Sequence, residues 1–392
     1  MQPALAGVAR LPRRWFAVSG SRRWRAGAAG LGAVGVIAGR STARRAVNRR
    51  ARLADPHHGE DFGVFEGDRT SVLTTPDGVD LKVREVGPSD ARVTVVFAHG
   101  FCNSMRAYHF QRRDMTEVWG DQVRMVFYDQ RGHGESTAGR PRDYTIEQLG
   151  RDLETVLTVL APRGEVVLVG HSMGGMTVLS HARQYPDRYG RNIVGAAIIS
   201  SAAEGISRSP LGEILQNPAL EAARFTARYV PGLVHRGRGL ARSILAPVLQ
   251  AASFGDEAVS PTVVRYTEDM THTTPVPTMV GFLHALGVHN ETAGLIALAR
   301  IPTLIACGTA DVLTTPEHSE DMASMLPKAE LLLVDGAGHM VQLEQPEIVN
   351  EALERLVARV GRKKLTVLAE RLRFSEVRIA TRPRRWVRRW RR

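Results

Sequence analysis

Short, nearly continuous apolar runs alternate with segments of helical hydrophobic spacing along most of the chain. Such runs are typical of strands that are buried on both faces of a parallel sheet. Two longer segments, Tyr144–Leu160 and Ile348–Val360, repeat apolar residues at intervals of three and four. This alternation predicts the α/β class, with a doubly wound and mainly parallel sheet. The predicted buried strands are Val93–Ala98, Val123–Tyr128, Val166–Val169, Val194–Ile199, Pro302–Cys307 and Leu331–Val334.

An antiparallel hairpin is predicted ahead of the first buried run. Two alternating segments, Ser71–Thr75 and Val79–Val86, flank the turn tripeptide Pro76-Asp77-Gly78. Proline and glycine in such a connection favour a tight turn between paired strands.

The stretch from 206 to 300 interrupts the strand–helix alternation. It contains helical fragments such as Leu220–Tyr229 and Leu240–Ala246, broken by Pro and Gly, and no buried strand run. Because this stretch is far longer than a connection between a helix and a strand, we expect a helical cap inserted between two strands. The predicted organisation is a basic segment over 1–54, a core over 55–205 and 301–360, the cap over 206–300, and a basic tail over 361–392.

The net charge of +12 over 392 residues is unevenly distributed. Residues 1–54 carry twelve Arg and no acid, and residues 361–392 have a net charge of +11, which leaves −11 for the middle of the chain. The tail residues 382–392 interleave Trp386 and Trp390 with Arg. Arginine contacts anionic headgroups and tryptophan prefers the bilayer interface, so an anionic membrane surface is the favoured partner of the tails. A nucleic-acid partner is disfavoured because the acidic middle argues against a binding groove on the fold, although the Arg and Trp of the tails would also bind phosphate and stack on bases.

The N-terminal segment has two interpretations. Ala26–Gly39 is uncharged but, at fourteen residues, shorter than the roughly 20 residues of a spanning helix. A basic tail or peripheral anchor, on a peripheral membrane or cytoplasmic protein, is favoured. The alternative is an export signal, with Ser41-Thr42-Ala43 as the cleavage candidate.

Cysteine usage indicates neither a disulfide framework nor a metal site. The two cysteines, Cys102 and Cys307, lack metal-ligand spacing, and Cys307 lies in an apolar run that is predicted to be a core strand.

The clearest chemical motif is Gly-x-Ser-x-Gly at Gly170–Gly174, between an apolar run and the helical segment Met176–Arg183. In a strand–turn–helix context this motif exposes a strained serine, here Ser172, at the carboxyl edge of a sheet. The free N–H groups at the start of the next helix would favour negative charge beside it.

Four further motifs follow predicted strands. They are His99-Gly100-Phe101, the octapeptide Asp129–Ser136, Gly308-Thr309-Ala310-Asp311 and Gly336-Ala337-Gly338-His339. Together with Gly170–Gly175, in this order, they resemble the α/β-hydrolase superfamily over about residues 70–205 and 300–360. The resemblance implies the α/β-hydrolase fold and leaves both tails outside it.

The resemblance also implies a role for each site residue. Ser172 would be the nucleophile and His339 its base, while Asp311 would accept the second imidazole N–H. The oxyanion would bind the backbone N–H groups of Met173 and Phe101. No metal and no organic cofactor is implied.

Several residues compete for these roles or for neighbouring ones. Asp335 and Asp129 also follow strands and are rival acids. We interpret the octapeptide that begins at Asp129 as architectural, and expect His133 and His171 to form hydrogen bonds within their loops. Three cap histidines could line a pocket, although a structural role is favoured: His272, His284 and His289.

A serine at the nucleophile position favours acyl transfer. The motif Gly170–Gly175 resembles that of carboxylesterases and monoacylglycerol-lipase-like enzymes, so an esterase or lipase is expected, acting on a small-molecule or lipid ester or a thioester. The alternatives are a cofactor-free haloperoxidase or perhydrolase, a carbon–carbon-bond hydrolase, and a catalytically idle fold that binds a ligand. The pattern leaves the acyl group, the leaving group and the oligomeric state open.

Overall fold

The computed structural model describes residues 55–204, 249–255, 259–361 and 377–380. The N-terminal segment 1–54, the expected helical fragments Leu220–Tyr229 and Leu240–Ala246, and the tail residues 381–392 lie outside the described residues.

The described residues form one sheet of nine strands. The strand order is β1-β2-β4-β3-β5-β6-β7-β8-β9. The pairs β1–β2 and β2–β4 are antiparallel and all others are parallel. The strands are β1 Arg69–Thr74, β2 Asp80–Val86, β3 Val93–Ala98, β4 Val123–Tyr128, β5 Glu165–His171, β6 Ile193–Ile199, β7 Thr303–Gly308, β8 Ala329–Val334 and β9 Val377–Ala380.

Helices connect the parallel strands and flank the sheet. The α-helices are α1 His109–Trp119, α2 Ile146–Leu160, α3 Met173–Gln184, α4 Pro261–Thr273, α5 Val276–Val288, α6 Gly294–Leu298, α7 Pro316–Ser324, α8 Val341–Glu344 and α9 Pro346–Gly361. Single 3-10 turns occur at Met105–Tyr108, Gly120–Gln122, Pro141–Asp143 and Pro186–Arg188. Residues 249–253 are also helical.

The two faces of the sheet carry separate apolar cores, which confirms the doubly wound prediction. In β3, Val96 faces a core shared with α2 and α3, where Leu153 and Leu179 are buried. The neighbouring Val95 faces the other core, which includes Leu353 of α9. Adjacent strand residues point to opposite faces, so a run of buried residues requires helices on both sides of the sheet.

The predicted hairpin and buried runs are present with small shifts at their ends. Every residue of β3 and β4 is buried, and both strands have the predicted bounds. The helix expected over Tyr144–Leu160 begins at Ile146, because the Thr145 side chain accepts a hydrogen bond from the Gln148 N–H and caps the first turn.

The described part of the predicted cap is helical. Helices α4 and α5 lie between β6 and β7 in the chain. Val263 and Met270 of α4 pack in one apolar cluster with Phe110 of the core. The ring of Phe62 stacks on Tyr266, with 4.0 Å between the centroids. Apolar and aromatic contacts therefore hold α4 against the core.

The C-terminal basic tail contributes a strand that the sequence analysis does not predict. Both tails were expected to lie outside the fold, yet β9 pairs in parallel with β8, and Val377 lies opposite Leu331. The four residues of β9 include an Arg and are surrounded by basic residues, so the apolar pattern is too short to identify a strand. Their pairing depends on the open edge of β8, which is a tertiary feature.

Candidate active site

Ser172 occupies a strained turn between β5 and α3. Its φ angle is +53°, in the left-handed region that non-glycine residues seldom adopt. The turn also needs glycine beside the serine, since a Cβ on Gly174 would overlap the carbonyl oxygen of Ala98 in β3. The strand–turn–helix context predicted for Ser172 is therefore present.

The structure brings His339 between Ser172 and Asp311. The Nε2 atom of His339 lies 2.9 Å from the Ser172 Oγ, and its Nδ1 atom lies 2.9 Å from the Asp311 Oδ2. Because a carboxylate only accepts hydrogen bonds, the Nδ1–H donates to Asp311. The Nε2 atom of the neutral ring is then free to accept the Ser172 hydroxyl proton.

Asp311 is buried and well supplied with donors. Its Oδ1 accepts the N–H groups of Leu313 and Thr314 at 2.8 and 3.0 Å, and its Oδ2 accepts the Thr314 hydroxyl at 2.9 Å. Burial by itself raises the pKa of this carboxyl, but the interaction with His339 and these hydrogen bonds outweigh it and lower the pKa below its usual value. Asp311 is therefore ionised at neutral pH.

The two rival acids lie elsewhere. Asp335 accepts the Thr309 hydroxyl at 3.3 Å. Asp129 accepts the N–H groups of Met105 and Glu135, and so ties together the loops after β3 and β4. In the described residues, neither carboxylate contacts the His339 ring.

The expected oxyanion donors flank Ser172. Met173 is the first residue of α3, where backbone N–H groups have no partner within the helix. Phe101 follows β3 and lines the same cavity as Ser172. Two chain segments thus meet beside the hydroxyl, and the use of their N–H groups as oxyanion donors stays a prediction.

A small cavity of about 40 Å³ adjoins Ser172 and His339. Its wall is largely apolar, with hydroxyl groups from α4 and from the helical residues 249–253. Other residues in the wall are Met176, Leu249, Ser253, Thr267, Thr271, Leu286, Leu313 and Met340. A larger cleft of about 690 Å³ lies at the opposite end of the sheet from Ser172, and Val93 and Val123 are among the residues that line it.

The cap histidines do not line this cavity. His272 and His284 are exposed. His289 is buried, and its ring nitrogens contact the carbonyl oxygens of Leu286 and Ala202. Among the described residues no group of three or more His, Cys, Asp or Glu side chains could hold a metal ion.

His171 has a different partner from the one expected within its own loop. Its Nε2–H donates to the backbone carbonyl of His339 at 2.9 Å and so supports the loop of the candidate base. Sequence reasoning also missed Thr314, whose hydroxyl lies 3.3 Å from the His339 Nδ1. Only its position three residues after Asp311 hinted at this contact.

Two buried histidines near the site are held neutral. Burial and, to a smaller extent, the neighbouring His339 lower the pKa of His171 to about 3. Burial likewise lowers the pKa of His133 to about 4, although the Arg131 carbonyl accepts its Nδ1–H and opposes the shift. Burial acts in the opposite sense on Asp129, whose pKa is raised to about 6.

The alpha/beta hydrolase family model matches residues 95–352. Epoxide hydrolase A of Mycobacterium tuberculosis is 28% identical over 323 residues, covering 73% of this chain and 97% of that protein. The sn-1-specific diacylglycerol lipase of Mus musculus is 26% identical over 277 residues, covering 67% of this chain and 80% of that protein. A thermophilic esterase structure from Thermogutta terrifontis superposes with a TM-score of 0.59 at 26% identity, covering 74% of this chain and 99% of that chain.

We expect His133→Gln to reduce the acid sensitivity of folding. In the unfolded chain the pKa of histidine is about 6.5, so protonation favours unfolding. The stability contributed by the neutral imidazole is present above pH 6.5 and is lost as the pH falls toward 4. Urea unfolding at pH 7, 6 and 5 measures the free energy of unfolding. For each pH unit of acidification, wild type should lose about 1 kcal/mol more of this free energy than the variant does.

The exposed His58 provides the control, since His58→Gln should leave the dependence of the free energy of unfolding on pH as in wild type. Asp129 acts with the opposite sign, because the stability from its raised pKa is lost as the pH rises through about 6. Asp129 is present in wild type and in both variants, so its contribution cancels when their free energies of unfolding are compared. Equal slopes for wild type and His133→Gln would show that His133 titrates alike in the folded and unfolded states.

Proposed function

The chain belongs to the alpha/beta hydrolase family, and on that premise we propose that it cleaves a carboxylic ester through an acyl-enzyme on Ser172. The observation that supports this most directly is the continuous hydrogen-bonded path from the Asp311 carboxylate through His339 to the Ser172 hydroxyl. A serine hydroxyl is a weak nucleophile until a neighbouring base accepts its proton.

In the first half of the reaction, the Ser172 oxygen attacks the ester carbonyl carbon while its proton moves to the His339 Nε2. The tetrahedral oxyanion then accepts the N–H groups of Met173 and Phe101, beside the positive end of α3. Collapse of this intermediate breaks the bond to the alcohol, which leaves with the proton from His339. The acyl group remains on Ser172.

In the second half, a water molecule gives a proton to His339 and attacks the acyl carbon. The second oxyanion collapses, the acid leaves, and Ser172 recovers its proton. In both halves Asp311 fixes the tautomer of His339 and stabilises the imidazolium form. Its buried, hydrogen-bonded carboxylate stays ionised, which is the state that these roles require.

The proposed substrate class rests on the identity of the nucleophile and on the residues that line the cavity. The apolar side chains of Leu249, Leu286 and Met340 fit an apolar acyl group better than a charged one. The matched relatives include an epoxide hydrolase and a lipase, so identity of about 26–28% does not select the reaction. Serine at position 172 is the feature that favours ester cleavage.

Ser172→Ala should lower kcat for a p-nitrophenyl ester by about 10⁴–10⁶-fold, because the nucleophile is removed and the oxyanion donors remain. The measurement is steady-state kinetics beside labelling with a fluorophosphonate, which should modify wild type at Ser172. Ser324→Ala, at an exposed position in α7, is the control and should retain wild-type kcat. More than about a tenth of wild-type activity in Ser172→Ala would rule out this nucleophile.

Asp311→Asn should reduce kcat by about 10⁴-fold, because the amide favours the wrong tautomer of His339. Asp335→Asn should have a much smaller effect, since that carboxylate contacts Thr309 instead. Asp129→Asn should likewise cost less in kcat, although it disturbs a loop junction. The comparison requires circular dichroism to show that each variant is folded. A larger loss in either of the last two would reassign the acid.

The basic tails support a second proposal, that the protein binds an anionic membrane surface at its periphery. Ala380 pairs with Val334, so residues 381–392 continue from the edge of the sheet where the His339 loop begins. Asp55, next to the other basic segment, accepts hydrogen bonds from Ser260 and Thr262 at the start of α4. Residues 381–392 therefore follow a strand that ends at the cavity edge of the sheet, and the N-terminal segment precedes a residue bonded to the start of α4.

A lipid ester would be accessible to an enzyme held in this orientation. In the part of the chain that the structure describes, none of the helices combines the length and apolar character that crossing a bilayer requires. Attraction between the tails and the headgroups is the proposed means of attachment, and a cytoplasmic or exported location is compatible with it.

Removal of residues 381–392, which leaves β9 intact, should weaken co-sedimentation with anionic vesicles. Each Arg near an anionic surface contributes about 1 kcal/mol, screened over about 8 Å at physiological salt. Binding of the full chain should fall as salt rises, whereas hydrolysis of a soluble ester should survive the truncation. Equal binding to neutral vesicles would implicate Ala26–Gly39 instead, and binding to single-stranded nucleic acid without binding to vesicles would exclude the membrane proposal.

A further inference from the structure

The loop that carries His339 is in direct contact with a chain segment far away in sequence, residues 253–255. The backbone N–H of Met340 donates to the carbonyl oxygen of Ser253 at 2.9 Å. A Cβ on Gly255 would overlap the Gly336 carbonyl oxygen, and a Cβ on Gly338 would overlap the backbone of Phe254. The two backbones can approach this closely only because glycine occupies both sides.

The side chain of Glu344, in α8, joins these two segments. Its Oε2 accepts the N–H of Gly255 at 2.8 Å. The same carboxylate accepts the N–H of Gly338 at 3.0 Å through Oε1 and at 3.1 Å through Oε2. Gly338 immediately precedes His339, so one carboxylate ties the chain beside the candidate base to the residues that follow the helical segment 249–253.

The same segment also lines the cavity. Leu249 and Ser253 face the space beside Ser172 and His339. A substrate bound in this cavity would therefore contact a segment that is hydrogen-bonded to the His339 loop. Positioning errors of about 1 Å are costly at a proton-transfer step, so this attachment bears directly on the chemistry.

We propose that Glu344 is a positioning residue, which holds the imidazole of His339 in reach of Ser172 by bonding the His339 loop to residues 253–255. The inference rests on the proposed function, because it takes His339 as the base. It predicts that Glu344 affects the rate of proton transfer from Ser172 more than the binding of substrate.

The test uses the full chain and begins with three substitutions. Glu344→Ala should lower kcat for a p-nitrophenyl ester by about 10- to 100-fold, with KM changed by less than about threefold. Glu344→Gln keeps an amide oxygen that can accept both N–H groups and should retain at least about half of wild-type kcat. Glu347→Ala, at an exposed position in α9, is the matched control and should behave as wild type.

Gly255→Ala disrupts the same contact from the side of residues 253–255 and should lower kcat in the same way as Glu344→Ala. The double variant should then lose much less than the product of the two single losses, because both changes break one junction. Losses that multiply would show that the two residues act separately and would overturn the proposal.

Two further outcomes would also overturn it. One is a Glu344→Ala enzyme with kcat within twofold of wild type, and the other is a Glu344→Gln enzyme as slow as Glu344→Ala. Fluorophosphonate labelling separates this proposal from the assignment of the nucleophile. If wild type is not labelled at Ser172, the proposed function fails. If wild type and Glu344→Ala are labelled at equal rates, only the role of Glu344 fails.

Discussion

Parallel pairing of the central strands is the constraint on which the candidate site depends. The strands β3, β5, β7 and β8 run in one direction, so their carboxyl ends meet at one edge of the sheet. Each is followed by a loop that supplies one part of the site: Phe101, Ser172, Asp311 and His339. Ser172 and His339, which are 167 positions apart in the chain, thereby come within 2.9 Å of one another.

The loops keep this arrangement through backbone contacts rather than bulky packing. Ser172 has a strained φ that the chain tolerates because Gly174 can pass against Ala98. Beside it, Asp311 is buried, and the backbone N–H groups that point at it offset the cost of burying its charge. The energetic cost of the site is thus met by hydrogen bonds that also fix its geometry.

Much of the fold followed from local pattern. Nearly continuous apolar runs identified the strands β3 and β4 residue for residue, because full burial on both faces leaves only Thr94 and Arg124 as polar positions in the pattern. The strand β9 was not predicted, since four residues in a basic context carry too little periodicity. The hydrogen bond from His171 to the His339 carbonyl could not be predicted from the sequence either, because the two residues are 168 positions apart in the chain.

The sequence by itself determined the α/β class, the order of the motifs and the residues Ser172, Asp311 and His339 as candidates. These follow from the local alternation of strands and helices and from short motifs, which are properties of neighbouring residues. Only the tertiary structure decided that Asp311, and not Asp335, lies 2.9 Å from the His339 ring, and that Glu344 bonds to two distant glycines. Hydrogen bonds depend on distances of tenths of an ångström between separate loops, and such distances arise only when the sheet brings the strand ends together.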